Sequence, residues 1–341
     1  MLGSTAQRLV EAYDLAMLDL DGVIYISGHA IDGASEAIVA ARAAGIRVAF
    51  VTNNASRPPE KVAENLVRLG VTARPDDVVT SAQAAARILA ARLAPESPVL
   101  MLGGEGLGKA LVAEALKPVR SLDEGDVAAV VTGYGPDVLW RDVMRAAVRI
   151  RDGLWWVATN TDLTIPTSFG DAPGHGVMVR MLEQFTGVQP EVAGKPQRPL
   201  LDETIRRVGG RRPLMVGDRL DTDIEGAHHA GVDSLLVLTG VTGLHELVSA
   251  RPERRPTYLA ETLDGLLRAQ PEVTLARGVG SCGGWTAAVA DDRLRATGSG
   301  DSGDWWRAVA VAAWHHLDSA GTSADVADLT PPAQGGSRAN G

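Results

Sequence analysis

Short apolar runs alternate with helical stretches through the first 265 positions of this 341-residue chain. That alternation is the pattern of βαβ units, and it predicts a doubly wound α/β fold built on parallel sheet. Leu15–Leu18, Val48–Val51, Val99–Leu102, Ala128–Val131, Trp155–Ala158 and Leu214–Gly217 read as strands. Gly33–Ala44, Pro58–Leu69 and Leu200–Val208 read as helices. The second of these has proline near its start and Gly70 just past its end, as helix termini prefer.

Composition narrows what such a fold can serve. An apolar content of 45% with 22% charged residues is that of a globular chain, and 42 acidic against 33 basic side chains give a net charge of −9. This excess argues against a nucleic-acid groove or an anionic membrane surface. Cys282 is the one cysteine, so no internal disulfide can form; it reads as a small apolar filler, and the expected setting is a reducing cytoplasm. Glu11 and Asp14 come early, which argues against a signal peptide, and no run approaches the ~18 apolar residues of a membrane span.

The first strand ends in Asp19-Leu20-Asp21-Gly22. In open α/β sheets ligands bind beyond the carboxyl ends of the strands, so the pair stands where chemistry is expected. Two carboxylates this close repel by about 4 kcal/mol at 4 Å and an effective dielectric near 20. A metal or a proton would relieve that repulsion; an Asp-Gly turn without further role is the plainer alternative. Three more sites fall just past strands or at a helix start. Thr52 ends the second strand, followed by Asn53 and Asn54. Lys195 sits in Gly194-Lys195-Pro196 ahead of a helix. Asp218 and Asp223 lie in Gly217-Asp218-Arg219-Leu220-Asp221-Thr222-Asp223.

These four sites, in this order, resemble the motif set of the haloacid dehalogenase-like (HAD) phosphohydrolases. Val51-Thr52-Asn53-Asn54 and Gly217 to Ile224 are similar to its subfamily IIA, and the stretch between Thr52 and Lys195 leaves room for that subfamily's large α/β cap. The actinobacterial glycerol 3-phosphate phosphatases are the nearest group by this resemblance, which covers about residues 10 to 265. It implies an aspartyl-phosphate mechanism: Asp19 as nucleophile, Asp21 as general acid and base, and Thr52, Asn53 and Lys195 on the phosphoryl oxygens. Asn54 joins them in the expected substrate set. Magnesium is implied, held by the Asp19 and Asp218 side chains and the Asp21 carbonyl, which are hard oxygen donors. Charge argues the same way, since Asp19, Asp21, Asp218 and Asp223 carry −4 and Lys195 returns only +1. Asp223 resembles an outer acid that orients Lys195 or a water.

The same resemblance assigns 10–80 and 188–265 to a catalytic core and 81–187 to the cap. Asn160 and Asp162, in Thr159-Asn160-Thr161-Asp162, become candidates for substrate discrimination, with a plain turn as the alternative. His175, in Gly174-His175-Gly176, reads equally as a loop residue or a substrate contact. Gly103-Gly104-Glu105-Gly106-Leu107-Gly108-Lys109-Ala110 begins like a P-loop, but Ala110 replaces the hydroxyl that should hold magnesium. A kinase or NTPase is therefore disfavoured, and so is a non-catalytic scaffold, because every catalytic position is intact. Residues 271–318 suggest a small α+β module carrying Trp285, Trp305, Trp306 and Trp314, and 319–341 suggest a disordered tail. A small phosphorylated metabolite is the expected partner, glycerol 3-phosphate first, with phosphoglycolate, pyridoxal phosphate and nucleotides open. A homo-oligomer is compatible with the sequence.

Overall fold

The computed structural model describes residues 1–122, 125–167 and 170–332. They form two compact units. One comprises 1–26, 30–48 and residues from 211 onward; the other comprises 27–29 and 49–210.

The first unit is built on parallel strands in the order Tyr258–Ala260, Asp233–Val237, Pro213–Gly217, Leu15–Leu18. Leu15 to Leu18 are fully buried and read as one apolar run, as a parallel strand covered on both faces requires. The register sets Leu15 beside Pro213 and Leu18 beside Val216. The residues that follow, Asp19 and Asp218, therefore leave adjacent strand ends.

The same unit contains the C-terminal module. Four antiparallel strands, Thr274–Ala276, Val279–Cys282, Trp285–Ala290 and Arg293–Gly298, carry the helix Ser302–Ala320. That helix shares an apolar core with Leu236, Leu247, Val248 and Leu259 of the parallel-sheet region. Trp314 Nε1 donates to Leu247 O (2.7 Å), and Arg307 Nη2 donates to Leu259 O (2.8 Å). Arg255 forks onto Asp318 through two 2.7 Å hydrogen bonds. Two strands more than expected complete the sheet: Val279–Cys282 is short and contains glycine, and Arg293–Gly298 is broken up by two arginines. The expectation of disorder from 319 is corrected for the described residues. The helix runs to Ala320, Ala324 is buried, and Asp325 accepts from Leu294 N and donates to Asp292 O. Residues 333–341 of the expected tail lie outside the described residues.

The second unit holds a five-stranded parallel sheet in the order Glu191–Val192, Trp156–Ala158, Ala129–Thr132, Pro98–Leu102, Lys117–Val119. Helices Trp140–Arg151 and His175–Thr186 contribute Val143, Ala146, Ile150, Val179 and Leu182 to its core. Phe50 to Thr52, at the end of strand Arg47–Thr52, pair in parallel with Val78–Thr80. This compact unit takes in the chain from Ala49 onward, and the segment after Thr52 packs on the glycine-rich run. Gly106 N donates to Ser56 O (2.9 Å), and a Cβ on Gly106 would stand 2.6 Å from the Arg57 carbonyl.

Candidate active site

Asp19, Asp218 and Asp223 each offer a carboxylate oxygen, and these atoms lie within 4.8 Å of one another. Sheet pairing creates the cluster. Asp19 N donates to Val216 O (2.9 Å), one residue before Gly217-Asp218. The helical turn Leu220–Ile224 then brings Asp223 back, and its Oδ2 accepts from Arg219 N (3.1 Å). A Cβ on Gly217 would lie 2.2 Å from that of Asp223, so only glycine admits the return. Asp223 is fully buried and Asp218 nearly so, whereas Asp19 is half-exposed and Asp21 exposed.

Asp218 sits in a collar that sequence reasoning missed. Its Oδ2 accepts from Val241 N (2.7 Å), and its main-chain carbonyl accepts from Thr242 Oγ1 (2.5 Å). Side chains on Gly22 or Gly240 would come within 2.3 and 2.0 Å of Asp218 Oδ2. Thr239 Oγ1 closes the collar by donating to Gly22 O (2.6 Å). The only sequence trace is the glycine and threonine content of Leu238 to Gly243, just past a strand. Arg219 was also missed as a charge. Burial alone would lower its pKa, but Asp221, Asp223 and Asp218 outweigh burial and hold the guanidinium above its ordinary value.

Three carboxylate oxygens at this spacing fit a small hard divalent cation. Octahedral coordination at about 2.0–2.1 Å places ligand oxygens about 3 to 4 Å apart. The Asp223 carboxylate, expected as an outer acid, lies close enough to those of Asp19 and Asp218 to serve as a donor too. Asp21 lies on the turn after the strand, where Gly22 takes φ of 81° and Tyr25 OH donates to Asp21 Oδ2 (3.4 Å). It is exposed, which is compatible with the acid/base role expected of it.

The remaining expected residues are in the second unit. Thr52 Oγ1 accepts from Asn54 N (3.1 Å), which leaves its proton to donate. Asn54 shapes the turn that follows: its Oδ1 accepts from Ser56 N (2.9 Å) and Ser56 Oγ (3.0 Å). Asn53 grips Lys195 by both main-chain groups. Its Oδ1 accepts from Lys195 N (2.8 Å), while its Nδ2 donates to Lys195 O (3.0 Å) and to Asp162 Oδ1 (3.0 Å). Asn160 Nδ2 and Ser81 Oγ both donate to Asn53 O, at 2.7 and 2.6 Å. Asn160 is therefore a buried strut. Ser81 was unforeseen, although Thr80 and Gln83 around it form a readable capping box. Lys195 is among the most buried large side chains of the chain, at 2% exposure.

The P-loop resemblance fails on geometry as well as on Ala110. The N-terminal N–H of Gly106 is engaged by Ser56, and Lys109 pairs with Glu60 and Glu105. The His228 and His229 rings stand side by side on an exposed helix end. Cys282 is buried, and burial together with Asp304 pushes its thiol up to about 12, so it is no nucleophile. Among the described residues no helix is long and apolar enough to cross a membrane.

Known proteins resemble this chain in sequence and in fold. A family model described as haloacid dehalogenase-like hydrolase matches residues 16–117, and one described as HAD-hydrolase-like matches 192–266. The D-glycerol 3-phosphate phosphatase of Mycobacterium tuberculosis is 42% identical over 317 residues, covering 90% of this chain and 88% of that one. A match of that length must extend into the C-terminal module. An acid sugar phosphatase of Staphylococcus saprophyticus is 35% identical, covering 75% of this chain and 97% of its own. A crystal structure of the Mycobacterium tuberculosis glycerol phosphate phosphatase in complex with magnesium superposes with a TM-score of 0.82 at 41% identity, over 91% of this chain and 92% of that one.

Proposed function

Because the chain belongs to the haloacid dehalogenase-like hydrolases, we propose that it is a magnesium-dependent phosphatase that hydrolyses glycerol 3-phosphate to glycerol and phosphate. The observation that carries the reading is the Asp19–Asp218–Asp223 cluster at adjoining strand ends, in a chain whose 42%-identical relative bears that activity. We read residues 81–187 as the cap that selects a small substrate, and the cytoplasm as the setting.

Asp19, Asp218 and Asp223 are the side chains that would hold the metal, with the Asp21 carbonyl beside them. When bound, magnesium offsets the charge that would otherwise repel a phosphate dianion from these carboxylates. The half-exposed Asp19 carboxylate attacks phosphorus, forming an O–P bond as the ester P–O bond breaks. Asp21 delivers its proton to the departing alkoxide. Asp21 then accepts a proton from water as that water displaces Asp19 from the aspartyl-phosphate, releasing phosphate and restoring both side chains. Thr52 donates its hydroxyl proton to a phosphoryl oxygen, and the Lys195 ammonium balances charge that builds in the transition state.

Two outcomes test this. Purified wild type should release phosphate from glycerol 3-phosphate faster than from phosphoglycolate, pyridoxal phosphate or a nucleoside monophosphate, and EDTA should abolish turnover until magnesium is returned. Asp19→Asn should fold normally and lose phosphate release; more than a few percent of wild-type turnover would overturn the nucleophile assignment. No turnover on any of the four substrates would leave a non-catalytic scaffold as the better reading.

A further inference from the structure

His175 opens the helix His175–Thr186 and is buried, at 5% exposure. Its ring makes one polar contact: Nδ1 stands 2.8 Å from the main-chain oxygen of Asn160. A carbonyl oxygen can only accept, so the contact requires the Nδ1–H tautomer. Nε2 is buried with no hydrogen-bond partner among the described residues. A polar ring kept in such a place for a single bond is costly unless that bond matters.

The neighbours of His175 grip the same loop. Gly174 N donates to Leu163 O and Gly176 N donates to Asp162 O, both at 2.8 Å. Cβ atoms on these glycines would stand 2.4 and 2.1 Å from the Asp162 and Thr161 carbonyls, so the segment lies flush on the loop. The gripped loop is the one that supplies Asn160 Nδ2 to Asn53 O and Asp162 Oδ1 to Asn53 Nδ2. Asn53 in turn holds Lys195 at both main-chain groups.

We propose that His175 is a positioning residue: its Nδ1–H sets the Asn160–Asp162 loop, and through Asn53 that loop fixes the main chain of Lys195 and of the segment after Thr52. The proposal rests on the phosphatase reading, which places Thr52 and Lys195 on the phosphoryl group. A misplacement of about 1 Å at such groups is enough to cost up to 10²-fold.

Side-chain geometry supplies a selective test. An asparagine amide nitrogen can occupy the Nδ1 position, a glutamine amide reaches toward Nε2, and leucine fills the volume without a donor. Steady-state kinetics of phosphate release from glycerol 3-phosphate, on the full chain with magnesium, would compare His175→Asn, His175→Gln and His175→Leu. The Michaelis constant should rise about tenfold in the Gln and Leu variants and return to within about threefold of wild type in Asn. A merely structural role would lower the folded fraction, hence apparent kcat, without moving KM. An unchanged KM in the Gln and Leu variants, or an Asn variant as impaired as Leu, would overturn the proposal. If the Leu variant does not fold, the Asn and Gln pair decides. A wild type without turnover would instead overturn the phosphatase reading itself.

Discussion

Asp19 and Asp218 come together through one strand pairing, and Asp223 joins them through one tight turn, so the carboxylate cluster is assembled within its own motifs even though a collar from elsewhere holds Asp218. That is why it was legible in the sequence. Strand-end aspartates announce themselves locally, whereas Val241, Thr242 and the Gly22 and Gly240 collar act at long range and carry no motif. His175 was ambiguous for a related reason, because a glycine-flanked histidine looks alike whether it faces water or a carbonyl. Burial lowers its pKa to about 4, only partly opposed by the bond to Asn160. Since the unfolded chain titrates near 6.5, it binds the extra proton between pH 6.5 and 4 while the fold does not. The neutral ring therefore contributes stability that is present above pH 6.5 and lost as pH falls toward 4, about 3 kcal/mol in all. Denaturant unfolding of wild type and His175→Asn across pH 4 to 7 should show this slope in the wild type alone; parallel curves would contradict it.

At the scale of elements, the strands and helices named from the sequence followed from periodicity, because buried strands are continuous apolar runs, but Asp233–Val237 and the helices Ser81–Ala90 and Trp140–Arg151 went unread. So did short strands. Thr164–Thr167 and Gly170–Pro173 pair as an antiparallel hairpin in which proline and glycine mask any strand pattern. The glycine-rich helix start at Gly104–Gly106 was legible as a phosphate-loop decoy, but its purpose was not. These glycines let two stretches of backbone approach where a methyl group would collide with Ser56 and Arg57. Gly106→Ala should therefore displace the segment after Thr52, lowering kcat/KM for glycerol 3-phosphate by about 10-fold or more. Lys109→Ala, on the exposed side of the same helix, should leave turnover intact and uncover no saturable ATP binding by calorimetry. An alanine at 106 with wild-type kinetics would show that the close approach is dispensable.

For the whole molecule, the boundaries were the least legible part, since compactness depends on contacts that composition cannot reveal. The C-terminal module was legible by its change of texture, and its four tryptophans pointed to packing on the α/β region or on a partner subunit; the core it shares with the parallel-sheet region shows the first. Trp314 is buried against that region and bonded to Leu247 O. Trp314→Ala should destabilise the protein by about 3–5 kcal/mol, read as a lowered denaturation midpoint. A chain ending near Gln270 should aggregate, because Leu247, Val248 and Leu259 would lose their cover. Light scattering would check this, and a monodisperse truncated protein with wild-type kinetics would contradict it.

Asn53 holds Lys195 as a strand holds its neighbour, with one acceptor and one donor from a single side-chain amide. Loss of that amide nitrogen to water is the ordinary chemical ageing of asparagine, and it would replace the donor with a second acceptor. The new carboxylate oxygen would face the Lys195 carbonyl and the Asp162 carboxylate, and both would repel it. The shelf life of the site is thus tied to one nitrogen atom that takes no part in the reaction.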